Sequence, residues 1–284
     1  MSFLEQVVKS TAEAVEARRR KRPLDALRNT LSERENASSE RSGTRRFRDA
    51  LSGPEISIIA EFKRSSPSKG ELAPKTAKVE DYVDEYVRGR ASALSILTEE
   101  CFFWGSLGDL QAARQRTTLP ILRKDFVIDD YQIYEAAEAR VDAVLLIAAV
   151  LGNDARLEEF LSLTRSLGLD ALVEVRSESE LEKALTLDAD LIGVNNRNLE
   201  APLEVDTSRT AQLLDGIPPT VTAVAESGLS RRDELEELES MGVNAALIGS
   251  ALMEERDRTA MCLALTGSSE GPAMLAHEQH ALVS

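Results

Sequence analysis

Short apolar runs alternate with longer amphipathic segments along the chain from residue 56 onward. The runs are nearly continuous, as in strands that are buried on both faces of a parallel sheet. The segments between them repeat apolar residues at helical spacing. The eight predicted strands are Ile56–Phe62, Ala93–Thr98, Ile121–Phe126, Ala143–Ile147, Ala171–Val175, Leu191–Asn195, Val221–Glu226 and Ala245–Gly249. Examples of the predicted helices are Val79–Arg88, Tyr131–Arg140, Ala155–Leu167, Glu178–Leu187 and Arg231–Met241.

The repeat of strand, loop, helix and loop predicts an α/β protein with a parallel sheet covered by helices. Eight units favour a (β/α)8 TIM barrel, a fold that typically takes about 250 residues. The alternative is a doubly wound open sheet, in which a Gly-rich dinucleotide loop usually follows the first strand. Here Lys-Arg-Ser-Ser-Pro-Ser follows that strand, so we predict the barrel.

The residues before the first predicted strand have a different pattern. An apolar stripe at helical spacing comprises Leu4, Val7, Val8 and Val15. A weaker helical pattern and a loop follow, and the basic run Arg18–Arg22 is interpreted as a solvated helix end. The predicted parts are an N-terminal helical extension over residues 1–50, the barrel over 51–266 and a disordered tail over 267–284.

Charge and composition exclude several classes of partner. The formal net charge of −15 argues against nucleic acid and anionic membranes, since both need a large basic field. The longest apolar run in the middle of the chain, Ala143–Leu151, is too short to span a bilayer, and residues 1–30 have no secretory apolar region. We therefore expect a cytoplasmic protein, either a monomer or a weak homo-oligomer.

Cysteine and histidine are scarce. Cys101 and Cys262 are too few for a disulfide scaffold, and neither belongs to a CxxC motif. The only histidines, His277 and His280, lie in the predicted tail, so a zinc site or a Ser-His-Asp triad would have to recruit one of them. Acid–base chemistry must then use lysines and carboxylates, and we predict neither a metal nor a cofactor.

Polar residues mark the carboxyl ends of the predicted strands. In a barrel these ends meet at one mouth, where active sites lie. Glu61 and Glu174 stand within apolar runs, and pointing inward they can pair with lysines instead of meeting apolar helix faces. Taken singly, Glu99 and Asp125 are interpreted as solvated strand ends. The candidate acid–base set is Glu61, Lys63, Lys124, Glu174, Asn195 and Glu226.

Small residues end the last two strands, at Ser227-Gly228 and Gly249-Ser250. In barrels this position is a frequent phosphate site, because glycine lets backbone N–H groups approach an anion closely. The residues alone therefore predict an acid–base enzyme that acts on a phosphorylated small molecule.

Six motifs occur in order over roughly residues 50–255. They are Glu61–Gly70 (EFKRSSPSKG), Leu97–Glu99, Leu122–Phe126, Gly193–Leu199, Ala225–Gly228 and Leu247–Ser250. Together they closely resemble the indole-3-glycerol phosphate synthase family, and the first motif alone is highly specific. That family of carboxy-lyases converts 1-(2-carboxyphenylamino)-1-deoxyribulose 5-phosphate to indole-3-glycerol phosphate in tryptophan biosynthesis, with loss of CO2 and water. The resemblance implies the same reaction here.

The resemblance also implies catalytic roles. Lys124 would be the general acid that protonates the substrate ketone as the aromatic carbon attacks, and Lys63 would bridge substrate groups and assist proton transfer. Glu174 would be the partner acid–base. Glu61 with Asn195 would help proton removal and hold hydroxyls. We expect a lysine beside other cations to have a lowered pKa.

The remaining implied roles concern binding and orientation. Glu226 would orient the lysines, and Arg197 and Ser66 would lie near the substrate carboxylate. The apolar slot for the aromatic ring would comprise Phe126, Leu145 and Leu199. The phosphate would be held by Ser227, Gly228, Gly249 and Ser250 with help from Lys63. The N-terminal extension would cover the mouth and exclude water.

Some positions depart from the family pattern. Arg140-Val141-Asp142 stands where Gly-Ala-Asp is expected, and Gly89-Arg90-Ala91 replaces Gly-Gly-Ala. Both precede strands, at the end of a barrel where changes affect stability rather than chemistry. Glu200-Ala201-Pro202 replaces a more usual Thr beside the substrate ring.

Three alternatives are weighed against this interpretation. A phosphoribosylanthranilate isomerase would need a catalytic Cys and Asp pair, and Cys101 has no suitable partner in the sequence. A catalytically altered phosphate-binding barrel could act as a binding or assembly subunit, but such a barrel would be free to lose Lys63, Lys124 and Glu174. A metal held by the acidic residues is disfavoured because the interleaved lysines would repel a cation.

Overall fold

The computed structural model describes residues 2–37, 46–198 and 204–267. The strands are β1 (Ser57–Phe62), β2 (Ser65–Ser66), β3 (Gly70–Glu71), β4 (Ala93–Leu97), β5 (Ile121–Lys124), β6 (Ala143–Ile147), β7 (Asp170–Val175), β8 (Leu191–Asn195), β9 (Thr222–Glu226) and β10 (Ala245–Ile248). The helices are α1 (Phe3–Lys21), α2 (Leu24–Ala37), α3 (Arg46–Asp49), α4 (Val79–Arg88), α5 (Leu107–Arg116), α6 (Asp130–Glu138), α7 (Ala148–Leu151), α8 (Asp154–Ser166), α9 (Glu178–Thr186), α10 (Ser208–Leu214), α11 (Arg232–Ser240), α12 (Ser250–Glu254) and α13 (Arg258–Leu265).

Eight strands close into a barrel in the order β1-β10-β9-β8-β7-β6-β5-β4, with β4 pairing again with β1. Neighbouring strands are parallel, and helices separate them along the chain. The predicted (β/α)8 TIM barrel is therefore confirmed. The short antiparallel pair of β2 and β3 lies in the loop after β1 and had no signal in the hydrophobic pattern.

Successive side chains of each strand face opposite sides, which divides the core into two layers. Ile58 and Val144 belong to the layer between barrel and helices. The interior of the barrel contains Ile59, Leu122, Leu172 and Val224. Two positions beyond these interior residues, on the same side of each strand, stand Glu61, Lys124, Glu174 and Glu226. The pleat thus places a charged layer above an apolar interior.

The amino end of the barrel is closed by α3. Phe47 and Leu51 are fully buried and belong to the interior cluster. The backbone N–H of Arg48 donates to Asp170 Oδ2 at 3.0 Å, and its guanidinium donates to Thr222 Oγ1 at 3.2 Å. Both acceptors are the first residues of strands. Residues 46–50, which the sequence assigned to an extension over the mouth, therefore lie at the opposite end.

Helices α1 and α2 both contact α6, and α1 also packs Val7 into the interior cluster. Arg18 pairs with Glu135 at 2.7 Å, and Arg22 pairs with Glu138 at 2.5 Å. The interpretation of the basic run as a solvated helix end is wrong for three arginines, Arg18, Arg19 and Arg22, because their partners lie on α6 or at its N-cap. Arg20 and Lys21 are the exposed members of the run. The long basic side chains hold the carboxyl-terminal end of α1 against α6.

Gly267 is the last described residue, so the rest of the predicted tail lies outside the described residues. Across the part of the chain that the structure describes, no helix combines the length and apolarity needed to cross a membrane.

Candidate active site

A cavity of about 350 Å³ lies at the mouth of the barrel. It brings together every candidate residue except Leu199, which lies outside the described residues together with Glu200-Ala201-Pro202. The candidates that line it are Glu61, Lys63, Ser66, Lys124, Phe126, Leu145, Glu174, Asn195, Arg197, Glu226, Ser227, Gly228, Gly249 and Ser250.

The two lysines occupy different carboxylate environments. Lys63 Nζ donates to Glu61 Oε1 at 2.6 Å. The other oxygen of Glu61 accepts the hydroxyl of Ser95 at 3.3 Å. Position 249 must be small, because a β-carbon there would overlap Glu61 Oε1 and lie 2.7 Å from Lys63 Nζ. Gly249 therefore leaves the space in which this ion pair lies.

Lys124 lies between two carboxylates. Its Nζ is 3.0 Å from Glu174 Oε2 and 2.5 Å from Glu226 Oε2. Burial by itself lowers the pKa of Lys124, but the charges of Glu174 and Glu226 outweigh burial, and the pKa is raised. The expectation of a lowered lysine pKa is therefore wrong here, because the nearest charges are anions. Lys124 is a firmly held ammonium group.

Glu226 carries the opposite perturbation. Burial, partly offset by the Lys124 charge and reinforced by Glu174, raises the pKa of Glu226 to about 7. Its Oε1 is buried and has no hydrogen-bond partner among the described residues. A β-carbon at position 193 would overlap this oxygen, so Gly193 provides the space for it. A carboxyl group with a pKa near neutrality can exchange protons at physiological pH.

Asn195 and Arg197 continue the polar side of the cavity. Asn195 Nδ2 donates to Glu174 Oε1 at 2.9 Å, and Asn195 Oδ1 accepts the backbone N–H of Arg197 at 2.9 Å. Burial lowers the pKa of Arg197, while the Glu61 charge acts in the opposite direction. The amide of Asn195 thus fixes both the carboxylate of Glu174 and the start of the loop that contains Arg197.

Apolar side chains form another side of the cavity. Phe126 and Leu145 were predicted from the sequence and line the cavity. Phe103 also lines it, and the centroids of the Phe103 and Phe126 rings are 6.2 Å apart. Phe3 at the start of α1 also lines the cavity and packs edge-on against Phe102. Further apolar lining residues that the sequence did not identify include Leu97, Ile147 and Leu247. An aromatic ring of the ligand can lie on this side.

Small residues surround the remaining corner. Ser227 has φ 70° and Gly228 has φ 85°, both in the left-handed region. A side chain at position 228 would also meet Val205. Gly249 precedes α12, which begins at Ser250. Because serine and glycine are small, backbone N–H groups at these positions can approach an anion in the cavity closely.

Two residues that sequence analysis took for solvated strand ends are buried. Glu99 accepts the backbone N–H groups of Cys101, Phe102 and Phe103 at 2.7–3.0 Å. Burial raises the pKa of Glu99, and these three bonds lower it in part. Glu99 therefore fixes the loop that presents Phe103 to the cavity. The cost of burying a carboxylate is offset by these donors, which no single-position pattern reveals.

Asp125 is the second buried residue of this kind. Its Oδ1 accepts the backbone N–H of Phe126 at 2.8 Å, and its Oδ2 accepts the Thr98 hydroxyl at 2.7 Å and an Arg123 N–H at 2.8 Å. It thereby fixes the segment between Lys124 and Phe126.

Among the described residues, no three His, Cys, Asp or Glu side chains are grouped so that they could hold a metal ion. The acidic residues of the cavity alternate with lysines, and the ammonium of Lys124 already lies between two of them. The absence of a metal and of a cofactor stays a prediction.

A family model described as indole-3-glycerol phosphate synthase matches residues 4–265. The chain belongs to the indole-3-glycerol phosphate synthase family. It is 42% identical over 260 residues to the indole-3-glycerol phosphate synthase of Arthrobacter sp. (strain FB24). This alignment covers 90% of this chain and 92% of the relative. The protein of that name from Kineococcus radiotolerans is 40% identical and covers 97% of this chain and 99% of the relative. This is a family of carboxy-lyases in tryptophan biosynthesis, so the resemblance seen in the motifs is confirmed.

Solved structures with low sequence identity share the barrel. Thiamine phosphate pyrophosphorylase from Pyrococcus furiosus has a TM-score of 0.56 at 18% identity and covers 75% of this chain and 94% of that chain. The 3-hexulose-6-phosphate synthase from Salmonella typhimurium has a TM-score of 0.58 at 10% identity, with 75% and 97% covered. At these identities the similarity shows the fold alone.

Proposed function

We propose that this chain catalyses the reaction of its family, the conversion of 1-(2-carboxyphenylamino)-1-deoxyribulose 5-phosphate to indole-3-glycerol phosphate with loss of CO2 and water. The observation that carries the proposal is the ammonium of Lys124, held between Glu174 and Glu226 in a cavity with one apolar side and one corner of small residues. Each of these three features matches one part of the substrate.

The first step forms a bond between the aromatic carbon and the ketone carbon. Negative charge then develops on the ketone oxygen, where the Lys124 ammonium stabilises it and donates a proton. The raised pKa of Lys124 keeps this side chain charged before the reaction begins, which supports its stabilisation of the developing negative charge. Glu226, whose pKa is raised to about 7 by burial, can return a proton to Lys124.

Loss of CO2 restores the aromatic ring, and elimination of the former ketone oxygen as water completes the indole. Lys63 assists departure of the hydroxyl, and Glu174 takes the proton that is removed. Glu61 and Asn195 hold the substrate hydroxyls and keep Lys63 and Glu174 in place, as their hydrogen bonds at 2.6 Å and 2.9 Å allow. These steps balance without an oxidant or a second substrate.

Binding uses the two remaining sides of the cavity. The aromatic ring lies against Phe126 and Leu145, with its carboxylate toward Arg197 and Ser66. The phosphate accepts backbone N–H groups at Ser227-Gly228 and Gly249-Ser250, near Lys63. We keep Leu199 as a third residue of the apolar slot for the ring, because the resemblance to the family implies that role. Phe3 on α1 brings part of the N-terminal extension to the cavity, where it excludes water.

The proposal includes the setting of the enzyme. A net charge of −15 supports a phosphorylated small molecule rather than nucleic acid as the partner. We expect a cytoplasmic enzyme that works as a monomer or weak homo-oligomer without a metal or cofactor.

The test is turnover of the purified chain with the carboxyphenylamino-deoxyribulose phosphate, followed by the fluorescence of the indole product with EDTA present. Product formation would support the reaction, the substrate and metal independence together. A folded protein that binds the substrate without product would contradict the proposal and favour a phosphate-binding barrel with a binding or assembly role.

A further inference from the structure

A chain of four alternating charges connects α1 with the segment that contains Lys124. The members are Arg18, Glu135, Arg123 and Asp125, which we call the Arg18–Asp125 relay. Arg123 is fully buried, and the side chains of Glu135 and Asp125 are only 6% and 4% exposed. Arg18, at 21% exposed, is its outermost member.

The contacts of the relay are continuous. Arg18 binds both oxygens of Glu135, with Nε at 2.7 Å and Nη2 at 3.3 Å. Glu135 Oε2 also accepts from both terminal nitrogens of Arg123, at 3.2 Å and 3.3 Å. Arg123 in turn donates to Asp125 Oδ2 at 2.8 Å. Two cations and two anions therefore share one network in which each charge is offset by a neighbour. At its outer end Arg18 Nη1 also donates to the exposed Glu100, at 3.0 Å.

The inner end of the relay fixes residues of the cavity. Arg123 Nε donates to Thr98 Oγ1 at 3.1 Å, and that hydroxyl donates to Asp125. Thr98 also donates its backbone N–H to the carbonyl of Lys124 at 3.0 Å. Asp125 and Thr98 thereby hold the strand end from which Lys124 and Phe126 point into the cavity.

We infer that Arg18 is a positioning residue for the reaction, acting through Glu135, Arg123 and Asp125 on Lys124. Loss of its charge leaves a buried net charge of −1 in the relay, and Arg123 is drawn toward Glu135 and away from Asp125. The inference rests on the proposed function for its effect on turnover, but its effect on the strand end is independent of the reaction.

The matched variants are Arg18→Met, Arg18→Lys and Arg20→Met. Arg20 lies on the same helix, is 78% exposed and pairs with Glu16 of that helix, so its loss leaves the relay intact. Arg18→Met should lower kcat about tenfold with KM changed less than about twofold, because misplacement of an acid slows the chemical step. Arg18→Lys keeps the positive charge but loses the two-point contact of the guanidinium with Glu135, and it should give an intermediate kcat.

Amide hydrogen exchange of the free protein measures the effect of the relay on the strand end that contains Lys124, without any substrate. Arg18→Met should speed exchange in residues 121–128 by about fivefold, while residues 3–17 of α1 keep the exchange of the unsubstituted chain. If the unsubstituted chain shows no turnover, the proposed function fails and the exchange data still decide the inference.

Three results would overturn it: unchanged exchange in residues 121–128 of Arg18→Met, equal effects from Arg20→Met, or faster exchange along the whole of α1. The last result would mean that α1 as a whole detaches from the barrel and that Arg18 has no specific effect on the position of Lys124.

Discussion

The two ends of the barrel use buried charge in different ways. At the amino end, Asp170 accepts the backbone N–H of Arg48, and Asp142 accepts the backbone N–H of Ile121 at 2.9 Å and the Arg114 guanidinium at 2.9 Å. At the mouth, Glu226 has a buried oxygen without a partner in the described residues and a pKa raised to about 7 by burial.

This difference indicates that the charges at the amino end stabilise the fold, whereas those at the mouth are available for chemistry. Charges at the amino end satisfy backbone groups that begin the strands, and they tie α3 over the interior. Charges at the mouth satisfy one another, as Lys124 does with Glu174 and Glu226, and they leave capacity for a ligand. A protein of marginal stability can retain such a mouth because the opposite end and the two core layers supply the folding free energy.

The largest expected effect is that of Lys124→Ala. We expect kcat to fall about 10³-fold or more, since a positioned general acid contributes on this order, while the substrate still binds. The matched change at the other end is Arg48→Ala, which should lower the free energy of unfolding by about 2 kcal/mol and leave kcat within about twofold. Steady-state kinetics, a fluorescence titration with the substrate and urea unfolding give the three readouts. Normal turnover in Lys124→Ala would contradict the role of the acid.

The second prediction concerns pH and Glu226→Gln. Burial raises the folded pKa of Glu226 from its ordinary value of 4.5 to about 7, so between these values the folded chain binds a proton that the unfolded chain has released. Stability from this group is complete below pH 4.5 and is lost as the pH rises through about 7. The loss is on the order of 3 kcal/mol, since one pKa unit corresponds to about 1.4 kcal/mol.

Glu226→Gln removes this titration. Its unfolding free energy should change less than that of the unsubstituted chain between pH 5 and pH 8, and at pH 8 it should be the more stable protein. Urea unfolding across this range is the measurement. Parallel curves for the two proteins would show that Glu226 is ionised throughout.

The third prediction concerns the space at position 249. Gly249→Ala should displace the Glu61–Lys63 pair, because the added β-carbon would overlap Glu61 Oε1. We expect kcat/KM to fall about tenfold. Gly108→Ala is the control, since its β-carbon would lie 3.4 Å from Ser106 Oγ, an ordinary contact, on α5 away from the cavity. Equal losses in both variants would refute the steric explanation.

The smallest effect belongs to the amino end. Arg140 and Arg90 have φ 59° and 62°, and they stand where the family pattern has glycine. Arg140→Gly relieves a left-handed conformation that costs roughly 1–2 kcal/mol, against roughly 0.5–1 kcal/mol of added chain entropy. We expect the free energy of unfolding to rise by about 0.5 kcal/mol with kcat unchanged. Urea unfolding is the measurement, and a lower free energy of unfolding in Arg140→Gly would show that the Arg140 side chain stabilises the fold.

The hydrophobic pattern was sufficient to predict the fold class, and the motifs were sufficient to nominate a set of candidate site residues. Continuous apolar runs separated by helical segments specify a parallel barrel, because only strands buried on both faces lack a polar side. The closed barrel then brings all strand ends to one mouth, so the candidate residues on separate strands could be grouped before any coordinates were known. The motifs were sufficient to indicate the family, which the relatives confirm.

Only the tertiary structure determines the pKa values, the burial of charged residues and the contacts between distant segments. The pKa of Lys124 depends on which charges lie nearest, and these come from β7 and β9, 50 and 102 residues away along the chain. Glu99 and Asp125 look like solvated strand ends until the backbone donors around them are known. Phe3 reaches the cavity because α1 packs Val7 into the interior cluster and pairs Arg18 with α6. Such contacts between distant segments set electrostatics and burial, whereas hydrophobic periodicity sets only the elements.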